Sequence, residues 1–150
     1  HSLQHGVRTI EFQTPVYERK ILSFGQKVVT QNHWDTAEAV AQMQIAEPPV
    51  DPLEVLFSEE GVLIERIVDF SDFEVQRIKL ESGRSLANLN IEQYALAMVV
   101  EGNLALDGAV YHPEQSLLLP RGWRGTLASS QPTETLILLL AYPCKRAVES

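Results

Sequence analysis

The side chains best suited to chemistry crowd the start of the chain: His1, His5, Glu11, Gln13, Tyr17 and Arg19. Val7, Thr9 and Glu11 alternate with Arg8, Ile10 and Phe12, a strand's period of two. Glu11 and Gln13 therefore share one face. If that face points inward they line a cavity; if it points outward they are a polar exterior. A carboxylate can move protons and a guanidinium can meet oxygen-rich anions, so these are the groups of a working site. The segment opens without Met or a polar lead-in, and reads as the closing strands of a site whose earlier part lies upstream.

Elements must hold such groups in place, and composition limits which. The chain has 150 residues, enough for one ordinary domain, and 45% of them are apolar. Its formal net charge is −8, which provides no basic field for nucleic acid or an anionic membrane. Cys144 stands alone, so the fold does not rely on an internal disulfide, and a cytoplasmic setting is expected. No apolar run approaches the ~18 residues of a membrane span.

Residues 1–30 read as two strands, the second running from Val16 to Phe24. Residues 31–52 read as a short connecting helix and a Pro-rich linker. Asp35 and Glu38 have the spacing of a capping box, and Pro48-Pro49 stops the helix. Residues 53–143 read as all β, with strands at 62–70, 73–80, 94–100, 103–106, 115–119 and 135–142. Glu101-Gly102-Asn103 and Asp107-Gly108 read as hairpin turns. Residues 144–150 read as a frayed tail.

The order of this third zone resembles a cupin, a double-stranded β-helix of the jelly-roll type. Ala95–Val100 leads into Glu101-Gly102 as the first cupin motif ends, and Gln115–Gly122, closing in Pro-Arg-Gly, is similar to the second. The fold class expected is mainly β: a cupin jelly roll preceded by two strands and one short α-helix. In metal-binding cupins the motifs carry histidines, suitable ligands for a borderline divalent ion. Here Asn88 and Asn90 stand near the first motif and Gly125 stands where the second would place its ligand. The resemblance implies a metal-free cupin at 53–143.

With that domain in view, the whole chain resembles the C-terminal portion of a type I phosphomannose isomerase. His1-Ser2, Gly6, Ile10-Glu11-Phe12-Gln13 and Tyr17-Glu18-Arg19 follow the order that closes the catalytic half of that family. The resemblance implies that His1 is a metal ligand, that Arg19 is the active-site arginine, and that Glu11 and Gln13 lie on the substrate side. It implies a hexose phosphate as substrate, and zinc or another divalent metal in the full-length protein, with none expected in this fragment. Interconverting an aldose and a ketose phosphate moves a proton next to a carbonyl, and a metal or an arginine stabilises the ene-diol charge. The family's Gln-x-His ligand pair does not occur in this chain, so the chain alone is expected to be inactive.

A competing reading is a stand-alone cupin that binds sugar or serves assembly without catalysis. Edges left open by a missing half would favour a strand-exchanged homodimer. The remaining polar groups have plainer expectations. His33-Trp34 packs against the helix start, His112 sits in a turn, and Trp123, between Arg121 and Arg124, closes a barrel end, the alternative for these last three residues being an anion site.

Overall fold

A computed structural model describes residues 5–13, 36–43 and 52–143. The chain divides into two compact units, His1–Asp51 and Pro52–Ser150. In the first, His5-Gly6 form a turn, with φ of +85° at the glycine, and residues 7–13 carry no strand. This corrects the first of the two expected strands, since no ladder of backbone hydrogen bonds forms on that alternation. The helix is present as α1, Thr36–Gln42. The second expected strand, His33-Trp34, Pro48-Pro49 and the tail from Cys144 lie outside the described residues. Among the described residues no helix is long and apolar enough to cross a membrane.

The described residues of the second unit form ten antiparallel strands: β1 Glu54–Glu59, β2 Val62–Asp69, β3 Phe73–Leu80, β4 Ser85–Asn90, β5 Ala95–Glu101, β6 Leu104–Leu106, β7 Ala109–Tyr111, β8 Ser116–Leu119, β9 Arg124–Ser129 and β10 Leu136–Pro143. They build a six-stranded sheet, β1-β2-β3-β10-β5-β8, and a four-stranded sheet, β4-β9-β6-β7. Strands adjacent in sequence repeatedly fall in different sheets, the mark of a jelly roll. The Glu101–Asn103 turn shows this directly. It was expected to be a hairpin, yet β5 pairs with β10 and β8 while β6 pairs with β7 and β9. The chain therefore changes sheets at Gly102. The Asp107-Gly108 hairpin does form, with φ of +49° and +80°, the pair of positive values a two-residue type I′ turn needs.

Period-two alternation builds the core. Ile78 and Leu80 on β3, Leu136, Leu138 and Leu140 on β10, and Ala95, Ala97 and Val99 on β5 are buried against Leu104, Leu119 and Leu127 from the other strands. No polar or charged residue is buried among the described residues. β1 is an edge strand exposed at all six positions. The second face of the six-stranded sheet is also largely apolar, with Leu96 49% and Leu118 59% exposed and paired directly across β5 and β8. Arg77 and Glu65 form an ion pair on that face at 2.6 Å.

Candidate ligand site at the end of the six-stranded sheet

The inner face of the six-stranded sheet changes character along its length. On β3 the inward series runs Leu80, Ile78, then Gln76 and Glu74; on β10 it runs Leu136, Leu138, Leu140, then Tyr142. Tyr142 pairs with Glu74, and Leu140 with Gln76, so the polar residues meet at one end of the sheet. Alternation alone places them there, because the residue two places beyond a core leucine must also point inward.

These side chains hold one another. Glu74 Oε1 accepts from Gln76 Nε2 at 2.7 Å and from Arg66 Nε at 3.1 Å. Arg66 Nη1 also donates to Glu54 Oε2 at 2.6 Å, tying edge strand β1 to the cluster. Burial first, and the charge of Glu74 second, push the Tyr142 phenol up to about 12. The β4–β5 connection closes the other side. A hollow of about 480 Å³ lies between the two, lined by Glu74, Gln76, Asn90, Glu92, Tyr94 and Tyr142, with Asp69 at its edge. Three carboxylates, amides and two tyrosines face this space, and among the described residues no arginine or lysine lines it.

The raised phenol gives a stability prediction. Tyrosine is neutral when protonated, so a folded pKa above the unfolded one contributes stability fully present below pH 10. That contribution is lost as pH rises from 10 to about 12. The loss should be roughly 2–3 kcal/mol. Urea unfolding at pH 9 and pH 12 checks it: Tyr142→Phe should remove that part of the alkaline destabilisation.

Of the positions read as vacated metal sites, Asn90 lines this hollow and Asn88 and Gly125 do not. Leu89 pairs with Gly125 and Asn90 with Arg124. Leu89 packs against the core, so Asn90 and Arg124 fall on the other face, where Arg124 Nε donates to Asn90 Oδ1 at 3.2 Å. Gly125 faces inward, and the indole of Trp123 fills the place of its missing side chain: a Cβ there would stand 2.7 Å from Trp123 Cη2. Trp123 is half-buried against the core and donates Nε1 to Asp107 Oδ2 at 3.1 Å. Among the described residues no three His, Cys, Asp or Glu side chains gather in a way that could hold a metal ion. His112 occupies a turn, as expected, with its carbonyl accepting from Gln115 N and its Nδ1 2.7 Å from Asn103 Oδ1.

Of the residues assigned to catalysis or substrate, His1 and Arg19 lie outside the described residues. Glu11 and Gln13 belong to the first unit, where both are exposed and outside any strand. The polar end of the inner face was not among the expected sites. Its signal was present in Tyr142 after three alternate leucines, and in Glu74 and Gln76 on the face of Ile78 and Leu80.

No protein-family profile matches the chain. No curated protein matches it either. Solved structures do. The polyketide cyclase RemF from Streptomyces resistomycificus aligns over 70% of this chain and 82% of its own, with a TM-score of 0.53 at 19% identity. An RmlC-like cupin from Shewanella frigidimarina aligns over 70% and 94%, with a TM-score of 0.52 at 16% identity. A cupin-2 domain protein from Rhodospirillum rubrum aligns over 70% and 76%, with a TM-score of 0.51 at 18% identity. At such identities the likeness concerns the fold alone. Together with the two-sheet topology it identifies the β unit of this chain as a jelly roll with the cupin fold.

Proposed function

We propose that the jelly roll is a ligand-binding module that takes a polyhydroxylated ligand, a sugar, at the polar end of its six-stranded sheet. One observation carries the reading: an apolar inner face that turns polar only where it meets an open hollow. Carboxylates and amides suit hydroxyl groups as paired donors and acceptors, and tyrosine faces suit the apolar face of a sugar ring. The described residues offer no ligand set for a divalent metal. No step of this reading runs through one.

The finer reading, a mannose-6-phosphate-isomerase-like protein, rests on the order of residues 1–19. It assigns aldose–ketose chemistry to His1 and Arg19 and leaves the jelly roll a non-catalytic partner. Under it the chain alone, supplied with zinc, should show no isomerase turnover.

The binding reading is tested by titrating the chain with mannose and with fructose and following tyrosine chemical shifts. Glu74→Gln and Tyr94→Ala should each weaken binding about tenfold or more, the loss of one good hydrogen bond or stacking contact. The outward-facing Arg77→Ala should leave it unchanged. Equal effects from all three variants, or no saturable binding, would remove the proposal.

A further inference from the structure

A second hollow, of about 430 Å³, is lined by Asn88, Asn90, Arg124, Gly125 and Thr126. Asn90 lines both. Their chemistry is opposite. Among the described residues, the first presents three carboxylates and no cation; the second presents a guanidinium, amides and a hydroxyl, and no carboxylate.

Arg124 differs from Arg66, Arg77 and Arg84. Each of those meets at least one carboxylate, at 2.6, 2.6 and 3.7 Å in their nearest pairs. Arg124 instead donates Nε to the amide of Asn90, and among the described residues no carboxylate pairs with it. In a chain of net charge −8, an arginine that faces amides beside an open hollow is suited to an oxyanion.

The backbone points the same way. Asn88 has φ of +58°, and the β4–β9 register shifts between Leu86 and Leu89. The shift keeps both leucines against the core and sets the Asn88 residue into the wall of the hollow. Asparagine is among the side chains that enter the left-handed region most readily, so Asn88 suits the bulge in this edge strand. Such features re-aim side chains beside binding sites.

We infer that the two hollows form one bipartite site for an acidic sugar, with Arg124, Asn88 and Thr126 receiving its anionic oxygens while the sugar ring lies between Asn90 and the tyrosines. The inference rests on the carbohydrate reading above and names the substrate class. The shared chemistry is that of an oxyanion, supplied by a carboxylate or a phosphate ester. A guanidinium with terminal nitrogens to spare can bind either through two parallel hydrogen bonds.

Affinities for mannose, mannose 6-phosphate, mannonate and inorganic phosphate, measured by calorimetry on the whole chain at low and high salt, provide the test. At least one acidic sugar should bind about ten times or more tighter than mannose, with an advantage that shrinks as salt rises. The phosphate and carboxylate arms show which oxyanion fits. Arg124→Gln should erase the advantage, so that acidic sugars bind no more tightly than mannose does to the same variant, and Arg124→Lys should restore part of it. Equal binding of neutral and acidic sugars by the native chain would overturn the bipartite site and leave the neutral-sugar reading standing. Inorganic phosphate that binds through Arg124 without any sugar preference would overturn the sugar reading and this inference together. Unchanged melting curves for the Arg124 variants would show that lost binding is not lost folding.

Discussion

Replacing Gly102 with alanine should destabilise the jelly roll by about 3–5 kcal/mol, combining left-handed strain with overpacking. Gly102 holds φ of +75° where the chain leaves β5 in one sheet and enters β6 in the other. A Cβ there would collide with the carbonyl oxygen of Thr135 and stand 3.2 Å from Leu136 Cα. Both obstacles are backbone, and Leu136 is fully buried at the start of β10. Neither can swing aside as a side chain would. For a domain of this size each kcal/mol lowers the melting temperature by about 4–8 °C, so the variant should melt at least ~12 °C lower. Gly108→Ala is the control. Its φ is similar, +80°, but nothing lies within 4 Å of an added Cβ, so only the conformational penalty of about 1 kcal/mol remains. Equal losses at the two glycines would contradict the close approach at Gly102.

Gly125→Ala should cost about 2–4 kcal/mol for a different reason, because the added methyl must displace a large half-buried ring. Residues 123 and 125 lie two apart and share a face, so the Trp123 indole folds over Gly125. Expelling it would also strain the bond from Trp123 Nε1 to Asp107, which links the start of β9 to the β6–β7 hairpin. The double variant identifies the cause. With Trp123→Ala in place, Gly125→Ala should cost less than ~0.5 kcal/mol, a coupling far beyond ordinary additivity. A Gly125 cost that persists without the indole would show that the glycine serves the backbone instead. The result also bears on histidine at this position, which would meet the indole before it met a metal.

Much of the jelly roll could be read from the sequence, and the reasons for success and failure are physical. β2, β3, β5, β8 and β10 carry dense apolar residues and lie together in the larger sheet, where period and composition agree. β1, β4, β7 and β9 were not anticipated. β1 is exposed throughout and closes on Glu60-Gly61, a positive-φ pair without the usual asparagine or aspartate. In β4 the bulge at Asn88 breaks the alternation, so Leu86 and Leu89, three apart, both reach the core. β9 has Gly125 in place of an apolar side chain because Trp123 fills its space. Asp107-Gly108 was legible because few other residue pairs tolerate that turn, whereas Gly102 needed a neighbour distant in sequence, Thr135.

The candidate site divides in the same way. Residue types drew attention to His1, Glu11, Gln13 and Arg19, whose case is a family order. In the described structure Glu11 and Gln13 stand exposed outside any strand. Glu74, Gln76 and Tyr142 look unremarkable one at a time, and become a site only when β3 and β10 pair in register. Asn88 and Asn90 attracted notice as substitutes for histidines. In the structure both line one hollow with Arg124.

A residue-resolved NMR titration of the chain with mannose tests the central claim most directly. Binding at the polar end predicts saturable shifts confined to Glu74, Gln76, Asn90, Glu92, Tyr94 and Tyr142, with the outer-face residues Leu96, Leu118 and Arg77 unmoved. Shifts centred on the outer face, or on residues 5–13 alone, would contradict it.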